Sequence, residues 1–153
     1  MAGSAPLLAQ RASAPRPNIL LIVADSLPAH ALGCYGNQEI RTPGIDLLAR
    51  GGARFLFHAA ASPDSARGWA SLLSGLTPRQ HGAAGGQAGS GFSKAQIISH
   101  LLAKSGYNCG FAGHWPFGGE GGQRYGFQDW HPAAAASGFQ AAAISQEAIG
   151  FLA

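Results

Sequence analysis

A continuous apolar segment near the start of the chain constrains the fold more than any other feature. Residues 18–24 have the sequence Asn-Ile-Leu-Leu-Ile-Val-Ala, and Asp25 follows them directly. A run that is apolar on both faces is typical of a central strand in a parallel sheet. Open α/β sheets bind ligands beyond the carboxyl ends of their strands, so Asp25 is a candidate functional residue. A helix or turn cap formed with Ser26 is the alternative interpretation of Asp25.

Strand and helix patterns alternate along the rest of the chain. The predicted elements are, in order, a strand over 18–24, a helix from Thr42-Pro43 to Gly51, a strand over 53–61, a helix over 65–75, a helix opened by a capping box at 93–96 and ended by Gly106, a strand over 108–115 and a helix over 139–153. Residues 26–42 and 116–132 are predicted loops. This order predicts a three-layer α/β/α fold with a mainly parallel sheet. Because three strands make a small sheet, we interpret 18–153 as part of a domain, preceded by a disordered leader over 1–17.

The stretch 63–75 predicts a short helix with Ser65 at its N-terminus. Asp64 or Ser65 can cap the first backbone amides, and Gly75 can end the helix. The amides at a helix N-terminus favour negative charge, which suits a serine nucleophile that acts on an anionic ester. An ordinary capped surface helix is the alternative.

Three polar residues follow predicted strands or begin a helix: Asp25, Ser65 and His114. The carboxyl ends of parallel strands meet at one edge of a sheet, so we expect these side chains to converge. A carboxylate can hold a cation, a hydroxyl can attack, and an imidazole can bind the ester or move a proton. Together they predict hydrolysis of an ester at sulfur or phosphorus.

Composition narrows the choice of partners and compartment. The net charge of +3 comes from 10 basic and 7 acidic residues, and the basic residues are scattered singly. Nucleic-acid binding would need a basic stripe and is not expected, whereas an anionic small substrate is compatible. Two cysteines form neither a disulfide framework nor a zinc motif, which favours a reducing, cytoplasmic location. A weak targeting signal within 1–17 is the alternative, and no segment is long enough to span a membrane. Only 11% of residues are charged, so self-association through an open sheet edge is also expected.

An ordered series of motifs resembles the sulfatase family of the alkaline phosphatase superfamily. The opening of that family is similar to residues 16–25, 32–37 and 41–49, and its segment after the nucleophile is similar to 70–82. Further landmarks match, in the right order, at 106–107, 113–115 and 125–127. The resemblance covers about residues 16–153.

This resemblance implies an α/β/α hydrolase with a divalent cation between strand-end acids and the nucleophile. The cation is usually Ca²⁺, with Mg²⁺ and Mn²⁺ as alternatives, and a hard cation takes about six to eight oxygen ligands. The family nucleophile is a Cys or Ser oxidised to formylglycine, and its position corresponds to Ser65. The resemblance therefore implies Asp25 and Ser65 as metal ligands. In the hydrolase that we predict, Arg67 and His114 neutralise charge on the ester oxygens.

The chain departs from the family pattern at several of these positions. Where relatives often carry two adjacent acids, it has Asp25 and Ser26. Arg67 and Trp69 stand where the modification motif has Pro or Ala and then Arg, so formylglycine is not expected. Where the family often has Gly-Lys-Trp-His, residues 113–116 have the sequence Gly-His-Trp-Pro.

We therefore predict a sulfatase-like, metal-dependent hydrolase of sulfate or phosphate esters. The family's second acidic pair has no counterpart before Ala153, so we expect a truncated chain that is weak or inactive alone. The alternative is a non-catalytic module that associates with another chain.

Overall fold

A computed structural model of the chain describes residues 16–83, 97–117, 122–133 and 141–153. These residues form five helices, α1 to α5, and two strands, β1 and β2: α1 Pro43–Gly51, α2 Ser65–Ser74, α3 Pro78–His81, α4 Ile98–Lys104, β1 Gly110–Gly113, β2 Asp129–Pro132 and α5 Ala141–Leu152. The chain divides into two compact units, Met1–Ala53 and Arg54–Ala153. Most of the predicted leader and the predicted capping box at 93–96 lie outside the described residues.

The first predicted strand, over 18–24, is wrong. Its residues form irregular chain, and the side chain of Ile22 is 72% exposed. A strand exists only where a second strand accepts and donates its backbone hydrogen bonds. Residues 16–53, the described part of the first unit, contain no strand that could do so. The second predicted strand, over 53–61, is also wrong, because these residues form irregular chain that pairs with neither β1 nor β2, and Phe57 is 97% exposed.

A carboxylate in α1 joins three segments of the first unit through hydrogen bonds. Oδ1 of Asp46 accepts the backbone N–H of Cys34 at 2.7 Å and the hydroxyl of Thr42 at 3.1 Å. The Thr42 hydroxyl in turn accepts the N–H of Gly33 at 2.9 Å. A Cβ on Gly33 would lie 2.6 Å from the other Asp46 oxygen, so a larger residue there would displace the carboxylate. The predicted loop over 26–42 is confirmed, and it is tied to α1 through two short 3-10 turns.

The second unit contains a parallel pair of strands. β1 pairs with β2 from Gly110 opposite Asp129 to Gly113 opposite Pro132. The predicted strand over 108–115 is thus confirmed as β1, and the parallel direction agrees with the predicted α/β class. β2 lies inside the stretch predicted as a loop, so that prediction is wrong over 129–132.

An aromatic core covers one face of the strand pair. The rings of Phe111 and Trp130 stack with centroids 4.8 Å apart, and Trp115 meets both rings edge-on. The buried apolar residues of this core form one cluster: Ala70, Leu73, Ile97, Cys109, Trp115, Phe117, Tyr125 and Phe127. Helix α5 approaches β1 closely, because a Cβ added to Gly110 would lie 2.8 Å from the ring of Phe151.

Helix α4 joins this core through only part of its apolar residues. Ile98 and Leu101 are 45% and 49% exposed. Ile97 is buried at the start of the helix, and so is Ser99, whose hydroxyl donates to the carbonyl of Tyr125. The buried face therefore runs through the first turn of α4, where a polar residue is satisfied by a loop carbonyl.

Candidate active site

Helix α2 presents Ser65 at its first position. Asp64 is the N-cap, and its Oδ1 accepts the backbone N–H of Arg67 at 2.9 Å. Gly75 ends the helix with φ 69°, in the left-handed region that glycine adopts without strain. The predicted helix is confirmed at both ends, and Asp64 rather than Ser65 is the cap.

Helix α2 has one face in solvent and one in the core. Ser65 and Arg67 are exposed, whereas Ala70 and Leu73 are buried in the aromatic core. Trp69 also packs against that core. The helix is therefore anchored by one side, with its N-terminal turn open to solvent.

His114 directly follows β1 and is exposed. Its neighbour Trp115 is buried in the aromatic core. Ala66, the residue after Ser65 in α2, packs against the same core. The predicted position of His114 at the carboxyl end of a strand is confirmed. One core thus supports the residues next to Ser65 and next to His114.

Asp25 lies in the first unit, in a turn with Ser26, whose φ is 57°. No strand precedes it in the described residues, so the strand-end position predicted for Asp25 is wrong. Ser65, Arg67 and His114 lie in the second unit. The convergence of Asp25 with these residues stays a prediction.

The metal-ligating capacity of the predicted residues is small. Asp25 and Ser65 offer one carboxylate and one hydroxyl, whereas Ca²⁺ takes about six to eight oxygen ligands. Within the described ranges, no three His, Cys, Asp or Glu side chains come together as a metal site. The residues present therefore do not make a calcium site by themselves.

Two side-chain pairs escaped the sequence interpretation. Nε2 of the buried His81 lies 3.0 Å from Oγ of Ser71, which connects α3 to α2. Nδ1 of His131 lies 3.0 Å from Oε2 of Glu147, which connects β2 to α5. The Thr77-Pro78 sequence, a typical N-cap with proline after it, could have predicted α3 and hence the return of His81 to α2. The register of β2, which places His131, gave no comparable local signal.

The two cysteines differ in burial. Cys109 is buried, and its Sγ donates to the carbonyl of Ser99 at 3.7 Å. Burial raises the pKa of the Cys109 thiol. Cys34 is half-buried. Of the helices that the structure describes, none is long and apolar enough to cross a membrane.

Comparison with known proteins settles the origin of these motifs. The family model named Sulfatase matches residues 17–146. The chain belongs to the sulfatase family. Human steryl-sulfatase is 38% identical over 120 residues, covering 72% of this chain and 21% of that protein. Human arylsulfatase A is 37% identical over 117 residues, covering 73% of this chain and 23% of that protein.

A solved structure shares both sequence and fold with this sulfatase-family chain. The structure titled "Crystal structure of Ps i-CgsB" matches with a TM-score of 0.71 and 30% identity, covering 88% of this chain and 33% of that one. The predicted resemblance and the predicted partial α/β fold are both confirmed. The chain spans about a fifth of the length of the curated sulfatases it matches.

Proposed function

We propose that this sulfatase-family chain hydrolyses sulfate or phosphate esters with Ser65 as its nucleophile. The observation that carries the proposal is the exposed Ser65 hydroxyl at the first position of α2, in the slot where the sulfatase pattern has its nucleophile. Membership of the family supports the reaction class. The substrate is a small anionic ester.

The proposed reaction proceeds through a covalent serine ester. Oγ of Ser65 attacks sulfur or phosphorus, the bond to the alcohol oxygen breaks, and the proton lost by Ser65 ends on the departing alcohol. Water then cleaves the serine ester, which releases sulfate or phosphate and restores the hydroxyl. The amides of α2 and the guanidinium of Arg67 stabilise charge on the ester oxygens, and His114 contacts the same oxygens or passes the proton.

An unmodified serine is part of the proposal because of Trp69. Trp69 stands at the position where the modification motif has arginine, and its side chain packs against the aromatic core. It therefore offers neither the charge of that arginine nor an exposed recognition element. We infer that Ser65 acts as a hydroxyl rather than as formylglycine.

A divalent cation, Ca²⁺ before Mg²⁺ or Mn²⁺, would supply positive charge at the ester oxygens. Asp25 and Ser65 are its proposed ligands in this chain, and additional oxygen ligands would be needed. The steps above are accordingly assigned to the chain's own residues.

The test is turnover of 4-nitrophenyl sulfate and 4-nitrophenyl phosphate by the purified chain. Each substrate is assayed with Ca²⁺, Mg²⁺ or Mn²⁺ and with a chelator. We expect Ser65→Ala to abolish turnover, whereas Ser145→Ala, a matched serine in α5 that donates to the carbonyl of Ala141, leaves it unchanged. Turnover that survives Ser65→Ala, or a folded chain without turnover under every condition, would contradict the proposal.

An exposed apolar segment favours a second candidate, a module that associates with another chain. Ile19, Leu20, Leu21 and Ile22 are each more than half exposed, in a segment whose composition suits a buried strand. A chain that contributes strands beside this segment would remove that surface from water. Sedimentation tests it: Ile22→Lys should shift the chain from an associated to a monomeric species. A chain that is already monomeric at high concentration would contradict association with itself.

We also propose a reducing, cytoplasmic location. The chain has two cysteines, too few for the disulfide framework of a small exported domain. Fractionation of cells that express the full chain would test this, and recovery in an exported fraction would contradict it.

A further inference from the structure

Ser71 and His81 have the spacing of a serine nucleophile and its base. Ser71 lies in α2, six residues after Ser65, and His81 is the last residue of α3. Their side chains approach to 3.0 Å between Oγ and Nε2. A hydroxyl and an imidazole at this distance form either a catalytic pair or a structural hydrogen bond, depending on which atom carries the proton.

The second ring nitrogen of His81 decides between these alternatives. The backbone N–H of Ala83 donates to Nδ1 of His81 at 3.0 Å. A nitrogen that accepts a hydrogen bond carries no proton, so the neutral ring has its proton on Nε2. Nε2 must then donate to Oγ of Ser71, and it cannot take a proton from that hydroxyl. The pair therefore does not activate Ser71.

We propose that His81, as the neutral tautomer protonated on Nε2, is a positioning residue that locks α2 onto α3 through Ser71. His81 is only 6% exposed, so its two hydrogen bonds are shielded from water. The consequence for catalysis rests on the proposed function of Ser65, whereas the tautomer and the lock do not.

The segment that carries His81 is itself fixed at both ends. Oε1 of Gln80 accepts the N–H of Thr77 at 3.0 Å, and Gly82 ends α3 with φ 66°. A turn fixed at both ends holds the imidazole of His81 in place relative to α3. Asp64 fixes the first turn of α2, and His81 fixes its second half through Ser71. Ser65 therefore begins a helix that is held in its first turn by Asp64 and in its second half by His81.

The first test is the protonation pattern of His81 in the full chain, measured by two-bond ¹H–¹⁵N correlation near neutral pH. We expect a protonated Nε2 and an unprotonated Nδ1. The opposite tautomer, or labelling of Ser71 by a serine-directed fluorophosphonate, would overturn the lock. Neither the His81 tautomer nor the labelling of Ser71 depends on turnover. A chain without sulfatase activity would therefore contradict the proposed function, and the two measurements would still decide the role of His81.

The second test asks whether the lock positions Ser65. Ser71→Ala and His81→Asn remove the hydrogen bond, whereas His81→Gln keeps an N–H at the place of Nε2. We expect the first two variants to move the amide resonance of Ser65 and to lower kcat about tenfold with KM changed less than twofold. In His81→Gln, the Ser65 amide resonance and kcat should lie close to those of the parent chain, and Ser145→Ala should change neither of them. An unmoved Ser65 resonance in a folded Ser71→Ala variant would overturn the positioning role.

Discussion

Asp64 offers a direct measure of how α2 holds Ser65. Replacement by alanine removes the acceptor of the Arg67 N–H, which is 2.9 Å away. Loss of an N-cap costs about 1 kcal/mol, within a range of about 0.5–2 kcal/mol. Asp64→Asn keeps an acceptor and loses only the charge at the helix end, so it should cost about 0.3–1 kcal/mol at this exposed site.

A substitution at Gly68 in the same helix should raise the free energy of unfolding instead of lowering it. A Cβ there would lie 3.6 Å from the carbonyl oxygen of Ser62, an ordinary contact. Gly68→Ala should therefore raise the free energy of unfolding by about 0.8–1 kcal/mol through helix propensity. The double variant with Asp64→Ala should return close to the parent stability, provided that the two effects add.

Urea unfolding followed by tryptophan fluorescence provides the assay. The chain has 3 tryptophans, and all of them lie in the second unit, so the signal reports the unit that contains α2. A loss of about 1 kcal/mol corresponds to about a fivefold lower ratio of folded to unfolded chain. An Asp64→Ala variant as stable as the parent, together with a destabilised Gly68→Ala variant, would refute a helix that begins at Ser65.

Three other predictions concern the parts that support the site. Gly110→Ala should lower the thermal stability of the second unit by about 1–3 kcal/mol, because its Cβ would meet the ring of Phe151 at 2.8 Å; an unchanged melting temperature would contradict the packing of α5. Cys34, which is half-buried, should react with a thiol reagent well before the buried Cys109. Because the pKa of Cys109 is raised in the folded chain, the free energy of unfolding should fall as pH rises past the unfolded pKa of about 8.5. Cys109→Ala should make the free energy of unfolding less dependent on pH in this range. Asp46→Ala should cost about 1–3 kcal/mol and speed hydrogen exchange at the amide of Cys34, and unchanged exchange would refute the network in the first unit.

Helix α2 could be predicted from nearby residues, whereas the strands depend on partners that are distant in the sequence. Asp64 and Gly75 fix the two ends of α2 through contacts within four residues, so the sequence around Ser65 was sufficient. The segment 18–24 has strand composition, but a strand forms only with a partner, and the described part of its unit has none. β2 was missed for the converse reason: its Asp-Trp-His-Pro sequence is short and polar, and it is a strand because β1 lies beside it.

The residues of the candidate site also differ in whether local or distant contacts place them. Ser65 and His114 were identified from helix capping and from the end of β1, and both positions are confirmed. The strand-end position of Asp25 depended on a strand that did not form. The bond between Ser71 and His81 spans ten residues and depends on how α3 turns back, which a pattern of residue types does not encode.

A trapped covalent intermediate would identify Ser65 as the nucleophile. The chain is mixed with 4-nitrophenyl sulfate or phosphate, quenched in acid and digested, and the peptide that carries Ser65 is analysed by mass spectrometry. We expect a sulfate or phosphate ester on Ser65 that is absent from Ser65→Ala and unaffected by Ser145→Ala. An adduct on another residue, or alcohol release with an unmodified Ser65 at every quench time, would contradict it.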